Sequence, residues 1–593
     1  MGGAWFDRHN PWFGAFVLSA VAVAASFLAL GTAIVHPGDG GGSGDAGVGA
    51  AEPPGTAATL PANLSLTYAG PLPARLSGAE LKVIGAAQKP DITFVPGGDA
   101  AVVTRIFVPV AAMGSGVDAL TAAQLDGLLR GAITNWSEVG GVPGKVARGV
   151  VVSAADPAGL ALLQQWMGNT SEATTFGTYA DLRAAMTLGS GMIALTPLSE
   201  VRFGQPAVAL DGVDLVRGRG DASAWPYVER ISFVANSGKA KDALAGLRAV
   251  AADPLPKVTR VVATGDILQS RCSLTQIRAT GDWAAALRGP VGEYLAAADL
   301  ALGSLDGSIQ DVGAPNGCIE TTNLTSPPEV MAALTLAGLD EVTVATNHVF
   351  DCGQSYCGNK AFLRTLELLA AANIKVVGGG RNLEEALTPA IFDVNGTKFG
   401  VLGFDDIAAE DLQATATDPG TAPLDDSYAD EKASRPAEPA FFQSADKLHL
   451  TRFEERIREL KTRVDVVIVQ VQSGTEDTHA PSERSIKAIR AAAAAGADLV
   501  VGNQAHWVQA VEFGESSFMA YALGNFIFDQ THTPEHTQGY ILEASFWGKQ
   551  LAAVRFVPYQ IEDKYKPTFV TGATRAKILG DVFAASKELP AAR

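Results

Sequence analysis

The sequence has few cysteines, few histidines and no clusters of basic residues. Of its 593 residues, 4 are Cys and 8 are His, and the 45 Lys and Arg are outnumbered by 63 Asp and Glu. A net charge of -18 without a basic run excludes nucleic-acid binding, which needs Lys and Arg to displace phosphate counterions. The same charge argues against long-range capture of a polyanion.

Length and composition indicate more than one folded domain. A chain of 593 residues exceeds the ~250–300 residues at which single hydrophobic cores stop growing. All four cysteines lie in the C-terminal half and none forms a CxxC pair. Their even number favours two disulfides, in any of three pairings, with buried free thiols as the alternative; the spacing disfavours a zinc knot.

The N-terminal segment 10–36 contains no acidic residue, Lys or Arg and is long enough to cross ~30 Å of hydrocarbon as a helix. It exceeds the apolar core of a signal peptide, so we expect an uncleaved anchor, with cleavage near Ala33 as the alternative. Arg8 precedes it and the next basic residue is Arg75, which places the N-terminus in the cytoplasm. The sequence therefore predicts a single-pass membrane protein whose bulk is extracytoplasmic.

Four further segments follow the anchor at 1–36. Residues 37–58 are rich in Gly and Pro and predict a flexible linker. In 59–255, apolar runs such as Arg105–Val110 alternate with helical patterns such as Leu120–Leu129, which indicates an α/β domain. We expect a second α/β domain over 256–575 and a C-terminal tail over 576–593.

The first domain resembles the phosphate-type periplasmic solute-binding proteins. The resemblance is densest at Leu120–Gly141 (LTAAQLDGLLRGAITNWSEVGG), and Gly189–Leu195 is similar to a later segment of that family. In the family, a segment with Arg, Asp and hydroxyl residues binds the anion. The nearest counterpart, Ala154–Ala161, lacks the basic residue and the hydroxyl pair. We therefore expect a degenerate binding or docking module.

In the second domain, apolar strand patterns end repeatedly in polar clusters. These clusters are Thr264–Asp266, Thr346–His348, Gln472–Gly474, Gly502–His506 and Leu523–Asn525. Strands that alternate with helices predict a largely parallel or mixed sheet, whose carboxyl ends lie at one edge. A single such cluster is more typical of a turn or a helix cap, but five together favour a metal site, since Asp, Asn and His supply oxygen and imidazole ligands.

The same segments resemble the CapA family of poly-γ-glutamate capsule synthesis proteins, which is related to calcineurin-like metallophosphatases. The motifs are VATGDI, SLDGSI, VATNHVFDCG, AGADLVVGNQAHWVQAVE and YALGNFIFDQ, within about 260–560. The resemblance implies a sandwich of two mixed β-sheets flanked by helices, with a dinuclear metal centre between loops. It also implies disulfides Cys352–Cys357 and Cys272–Cys318.

The resemblance assigns roles by position. Its implied metal ligands are Asp266, Asp306, Asn347 and His506, and His348 is the implied catalytic acid. Gln472 and Asn503 stand where many members have His, as further candidate ligands. Amide oxygens bind Zn or Fe more weakly than imidazole does. We therefore expect a divalent-metal site that prefers Mn or Mg, a site that has lost one of its two metals, or a site that is inactive.

Two other features carry expectations. Residues 411–441 are rich in Asp, Ala, Pro and Ser and predict a long loop that could cover the site. Three other histidines of this domain, His479, His532 and His536, lie on polar segments. We expect their side chains to face solvent, with His532 or His536 reaching the rim of the site as the alternative.

Two functions follow from this sequence. One is a membrane-anchored, CapA-like metal-dependent hydrolase that cleaves a phosphoester or an amide of a cell-envelope polymer. The alternative is a non-catalytic accessory protein that binds the polymer and aids its export or assembly. The expected partners are that polymer, the membrane and subunits of a capsule synthase or exporter.

Overall fold

The computed structural model describes most of the chain after residue 59. The described residues are 60, 64–77, 79, 81–83, 88–98, 100–203, 206–311, 318, 321–352, 357–408, 410–426 and 445–591. The predicted anchor and linker, 1–36 and 37–58, lie outside them. Within the described part, no helix is long and apolar enough to cross a membrane. The described residues belong to one compact unit, Thr59–Arg593.

The first α/β region contains a mixed eight-stranded sheet in its described residues, with strand order β2-β1-β3-β10-β4-β8-β6-β7, and a short parallel pair, β5 and β9. The strands are β1 (Leu66–Ala69), β2 (Leu81–Val83), β3 (Ile92–Pro96), β4 (Val102–Ala111), β5 (Ala119–Leu120), β6 (Ala147–Val151), β7 (Thr174–Phe176), β8 (Met192–Pro197), β9 (Ala209–Leu210) and β10 (Val228–Ala235). The helices are α1 (Ala122–Arg130), α2 (Pro157–Met167), α3 (Tyr179–Ala185) and α4 (Gly238–Ala251).

Local sequence explains where α1 begins and ends. Thr121 caps its N-terminus in a capping box with Gln124, and Gly131 ends it in the left-handed conformation. Leu125, Leu128 and Leu129 form its buried face. The helix predicted at Leu120–Leu129 is thus confirmed with a shift of one to two residues.

The second region contains two larger sheets. One has strand order β16-β15-β12-β11-β26-β27-β28, with β25 pairing to β11, and the other has order β18-β19-β21-β22-β24-β23. Both mix parallel and antiparallel pairs. The strands are β11 (Val258–Ile267), β12 (Leu300–Leu305), β13 (Ser308–Ile309), β14 (Thr325–Ser326), β15 (Glu341–Thr343), β16 (Lys375–Val377), β17 (Gly379–Gly380), β18 (Ala390–Val394), β19 (Thr397–Asp405), β20 (Gly420–Thr421), β21 (Val466–Gln472), β22 (Leu499–Asn503), β23 (Val511–Phe513), β24 (Phe518–Ala520), β25 (Asn525–Ile527), β26 (Gln538–Trp547), β27 (Gln550–Glu562) and β28 (Lys566–Phe569).

Helices pack against these sheets. They are α5 (Arg271–Thr280), α6 (Pro290–Ala296), α7 (Met331–Leu336), α8 (Lys360–Ala371), α9 (Leu383–Ala386), α10 (Thr451–Lys461), α11 (Glu483–Ala495) and α12 (Gly572–Lys587). Helix α12 crosses the domain boundary predicted at 575. Its Leu579 and Phe583 lie in the core, so the predicted tail 576–593 is largely a packed helix.

The two sheets pack face to face. Val261 and Leu302 of one sheet share a buried core with Val401 and Ile468 of the other. The apolar, β-branched runs in these strands suit strands that are covered on both faces. The mixed-sheet α/β architecture expected for this region is therefore observed.

Buried charges join the first region to the second. Glu543 of β26 is fully buried, and ion pairs link its carboxylate to Arg219 of the first region and to Arg260 of β11. Asp118 pairs with Arg555 at 2.5 Å. Burial alone would raise the pKa of the Glu543 carboxyl, but the surrounding guanidinium groups outweigh it and lower that pKa to about 2.

Candidate metal centre

The site lies where β11, β12, β21 and β22 end. Asp266 lies near the end of β11, next to Asn525 of β25 in the strand pairing. This pairing needs Gly265, because a Cβ atom there would lie 1.7 Å from the carbonyl oxygen of Gly524. The two Gly-containing motifs therefore bring Asp266 and Asn525 side by side.

Asp266 is buried and held by two hydrogen bonds. The Ser304 hydroxyl donates to Oδ1 at 2.9 Å, and the Gln504 backbone N–H donates to Oδ2 at 3.4 Å. Burial and then the Asp306 carboxylate raise the pKa of the Asp266 carboxyl to about 7, against the opposing effect of His506. Holding this carboxylate charged at neutral pH therefore calls for further positive charge.

Asp306 follows β12 and is fully buried. Its backbone N–H donates to the Ile267 carbonyl at 3.0 Å, which fixes it beside β11. Neither of its carboxylate oxygens makes a hydrogen bond of normal geometry among the described residues, although the Thr346 hydroxyl lies nearby. Burial raises the pKa of the Asp306 carboxyl, and the nearby His348 opposes that rise. A buried carboxylate with so few donors is costly unless a cation binds it.

Three side chains converge on one point. Asp266, Asp306 and His506 each offer a ligand atom, and these atoms lie within 4.8 Å of one another. The amide oxygens of Asn347 and Asn503 are also buried without a hydrogen-bond partner in the described structure. Two carboxylates, an imidazole and two amide oxygens form a donor set that fits a divalent cation.

The Asn347 and His348 pair lies beside Asp306. The preceding Thr346 hydroxyl donates to the Leu305 carbonyl at 3.0 Å, which places this turn next to β12. His348 Nδ1 lies 2.8 Å from Asp351 Oδ2. Burial lowers the pKa of His348, but Asp351 and then Asp306 outweigh it and raise that pKa to about 9. His348 is therefore protonated at neutral pH in the metal-free protein.

The turn that carries His506 has an unusual backbone. Gln504 and His506 have φ angles of 95° and 58°, which are positive values that residues other than Gly rarely adopt. Such local strain is concentrated at functional sites. The His506 side chain is buried, with Nδ1 2.9 Å from Asn525 Oδ1 and 3.8 Å from Asp266 Oδ2.

A chain of amides connects Gln472 to the surface. The Gln472 amide nitrogen donates to Gln504 Oε1 at 2.9 Å, and the Gln504 amide nitrogen donates to Glu476 Oε1 at 3.0 Å. Glu476 is exposed. The amide nitrogen of Gln472 is engaged, so its oxygen is the atom available to a metal. The structure thus brings all seven predicted site residues to the same strand ends. The amide nitrogen of Gln472 is already used in the hydrogen-bond chain with Gln504 and Glu476.

Several residues at this edge were not predicted as site residues. Asp351 and Asn525 lie inside recognised motifs, but their roles depend on hydrogen bonds that a motif does not show. Glu476 and Gln504 are connected to the site by the hydrogen bonds of the amide chain that begins at Gln472. Asp405 ends β19 beside Gln472 and is fully buried, and burial raises the pKa of its carboxyl to about 6. Its Gly-Phe-Asp-Asp sequence, at the end of an apolar run, is the signal that could have indicated it.

The expectation that His536 faces solvent is wrong. His536 is 2% exposed, its Nε2 lies 2.7 Å from Asp477 Oδ1, and its ring packs on Trp507. His536 lies within a short helical turn, Pro534–Thr537, that packs against β26. His532 is exposed, as expected, and His479 is partly exposed.

The four cysteines form two disulfides, Cys272–Cys318 and Cys352–Cys357. This is the pairing that the CapA resemblance implied.

In the predicted loop, residues 411–426 are described and include a strand, β20, that pairs with β17. The rest of that loop, 427–441, lies outside the described residues.

The fold and the site define an α/β protein with two packed mixed sheets and a buried Asp, Asn and His cluster suited to a divalent metal. Residues 260–530 match the family described as "Bacterial capsule synthesis protein PGA_cap". This match supports the predicted resemblance of this part of the chain to the CapA family.

Two curated relatives agree with this assignment. The chain is 30% identical to "PGA biosynthesis protein CapA" of Bacillus subtilis (strain 168) over 32% of its own length and 42% of the relative. It is 27% identical to "Capsule biosynthesis protein CapA" of Bacillus anthracis over 36% of its length and 45% of the relative. The chain thus spans less than half the length of these relatives.

Solved structures are more distant. An ABC-type phosphate transport receptor from Vibrio cholerae has 17% identity and a TM-score of 0.23, with 27% of this chain and 73% of that chain covered. A 5'-nucleotidase from Candida albicans SC5314 has 13% identity and a TM-score of 0.26, with 56% and 58% covered. Because these TM-scores are low, the solute-binding character of the first region stays a prediction.

Proposed function

We propose that the C-terminal domain is a metal-dependent hydrolase of the cell envelope, acting on a phosphoester or on an amide of a capsule-like polymer such as poly-γ-glutamate. The observation that carries the proposal is the set of buried oxygen atoms without hydrogen-bond partners on Asp306, Asn347 and Asn503. The carboxylates of Asp306 and Asp266 also lie within 4.8 Å of each other, and a cation is the simplest group that satisfies both features.

The proposed ligands are Asp266, Asp306, Asn347 and His506, with Asn503 and the Gln472 oxygen completing the set. When bound, a divalent cation supplies Lewis-acid stabilisation of negative charge and activates water for attack. The strained turn at His506 and the close approach at Gly265 hold these ligands in place before substrate arrives.

His348 is the proposed acid. Asp351 accepts from its Nδ1 and favours the protonated imidazole, whose Nε2–H would donate to the oxygen or nitrogen of a leaving group. Its side chain is 20% exposed, which leaves part of the ring accessible to a substrate.

The ligand chemistry favours Mn or Mg. Of the proposed ligand atoms, one is an imidazole nitrogen and the others are oxygens, which suit harder cations than Zn. Zn and Fe remain the competing metals for the test.

We further propose that the protein acts outside the cytoplasm, tethered by residues 10–36. The two disulfides support an oxidising compartment. Protease added to intact spheroplasts should digest the globular part, and complete protection would contradict this location. Capsule synthase or export subunits and the polymer itself are the proposed partners.

One observation favours the alternative function, a non-catalytic accessory protein. The Gln472 amide is tied into a chain with Gln504 and Glu476, whereas the family often has an imidazole at this position. A site that binds one metal without activating a substrate would fit that arrangement.

Hydrolysis assays separate the two functions. The purified ectodomain with Mn, Mg, Zn or Fe should hydrolyse an aryl phosphodiester or poly-γ-glutamate, and Asp266→Asn should abolish the activity. His348→Ala should lower kcat by about 10²–10⁴-fold while metal affinity changes little. Asp340→Asn is the matched control, because Asp340 precedes β15 at the opposite end of the sheet. Metal binding without hydrolysis of either substrate class would favour the accessory function.

A further inference from the structure

The side chain of Asn525 is buried between the metal centre and β26. Its backbone is paired with β11 at Asp266, and its side chain lies within hydrogen-bond distance of three groups. Oδ1 is 2.9 Å from His506 Nδ1, while the amide nitrogen donates to Gln530 Oε1 at 3.0 Å and to the His536 carbonyl at 3.1 Å.

The orientation of this amide follows from its partners. The His536 carbonyl is a backbone acceptor that cannot donate, so the end of Asn525 that faces it must be the NH₂ group. The opposite end, which faces His506, must then be the oxygen. An oxygen can only accept, so His506 Nδ1 carries the hydrogen of this bond.

We infer that Asn525 is a positioning residue that fixes the tautomer of His506, with hydrogen on Nδ1 and the lone pair on Nε2. Nδ1 lies 3.8 Å from Asp266 Oδ2, but its hydrogen is directed to Asn525 Oδ1, so Nε2 is left as the atom that would bind the metal. Metal-binding histidines usually donate their other ring N–H to an oxygen acceptor, which sets the tautomer and the ring orientation. This inference rests on the proposed metal site, but the tautomer itself is a property of the metal-free protein.

Burial, packing and hydrogen bonds restrict the orientation of the His506 ring. The residue is 5% exposed, and its ring contacts Phe528 at a centroid distance of 5.0 Å. The Asn525 backbone N–H also donates to the His506 carbonyl at 3.3 Å, so one residue restrains both the backbone and the ring. Asn525 itself is restrained by the Tyr559 hydroxyl, which donates to its carbonyl at 2.7 Å.

The first test is the tautomer in the metal-free protein. Long-range ¹H–¹⁵N spectra of histidine-labelled protein should show His506 Nδ1 protonated and Nε2 unprotonated, with His506→Gln used for assignment. A neutral His506 with hydrogen on Nε2 would overturn the inference, whether or not the protein binds metal.

The second test compares variants by Mn affinity, measured with the metal alone. Asn525→Leu removes the acceptor and should weaken Mn binding about 10–100-fold, as loss of such second-layer bonds does. Asn525→Asp keeps an acceptor for Nδ1 and should retain the tautomer and most of the affinity. Tyr559→Phe is the matched control, since it removes a bond to the Asn525 backbone and should lower stability without changing the tautomer.

The outcomes separate this inference from the proposed function. Equal Mn affinity of wild type and folded Asn525→Leu would contradict the positioning role. If Asn525→Leu does not fold, loss of the Nδ1–H tautomer in Asn525→Asp would contradict it instead. Absence of metal binding by the wild type, together with the Nδ1–H tautomer, would overturn the proposed function and leave the hydrogen-bond assignment intact.

Discussion

The imidazole Nδ1 of His348 lies 2.8 Å from Oδ2 of Asp351, and the same oxygen accepts the Leu324 backbone N–H at 2.5 Å. The Asp351 carboxylate therefore links His348, the proposed acid, to the residue that precedes β14. The pair lies beside the buried Asp306, so three charged or chargeable groups share one small volume. This arrangement gives the first prediction.

Asp351→Asn should lower the pKa of His348 from about 9 towards the ordinary histidine value of about 6.5, because the replacement removes the largest effect that favours protonation. NMR titration of the metal-free protein measures it. Asp311→Asn, an exposed acid paired with Arg364, should leave the His348 titration unchanged. An unaltered pKa in Asp351→Asn would show that Asp351 does not set the charge of His348.

Glu543→Gln should destabilise the protein at neutral pH by about 3 kcal/mol, because it leaves buried guanidinium groups without their carboxylate. The folded pKa of Glu543, about 2, lies below the ordinary value of about 4.3. The stabilisation is therefore fully present above the ordinary value and is lost as pH falls towards 2. Urea unfolding should show the difference from wild type shrinking over that window, and the exposed control Glu515→Gln should show none. A constant difference across this pH range would contradict the assignment.

The exported protein should contain no free thiol. Non-reducing peptide mapping should give the links Cys272–Cys318 and Cys352–Cys357. Four alkylatable thiols, or a link between Cys318 and Cys352, would show that the structure pairs them incorrectly.

Inorganic phosphate should not bind the first region with micromolar affinity. The guanidinium of Arg105 is already occupied by Asp156, at 2.5 Å, and by Glu229, at 2.7 Å. A phosphate would have to displace a carboxylate from a pair that is only partly exposed, and no other donor set was predicted in Ala154–Ala161. Calorimetry on the whole ectodomain tests this, with Asp156→Ala as the variant that frees one side of Arg105. Micromolar phosphate binding by the wild type would show that the region has kept the anion site.

The sequence predicted the strand ends of the site better than its interior contacts. Apolar runs ending in polar residues located β11, β21 and β22, because strand burial dictates hydrophobicity. This pattern did not predict the burial of His536 or the role of Asn525, because both depend on long-range packing against β26 and β11. The helix that replaces the predicted tail was missed for a similar reason: Gly572–Lys587 carries a weak apolar stripe and is fixed by the core it covers.

The most direct test of a metal centre is elemental analysis combined with metal-dependent melting of wild type and Asp266→Asn. We predict that the wild type retains a divalent metal and gains thermal stability with added Mn or Mg more than with Zn, because oxygen ligands dominate the site. Asp266→Asn should lose the metal and the metal-dependent shift. Metal-free wild type with melting curves identical to those of the variant in every metal would contradict the account and favour the accessory function.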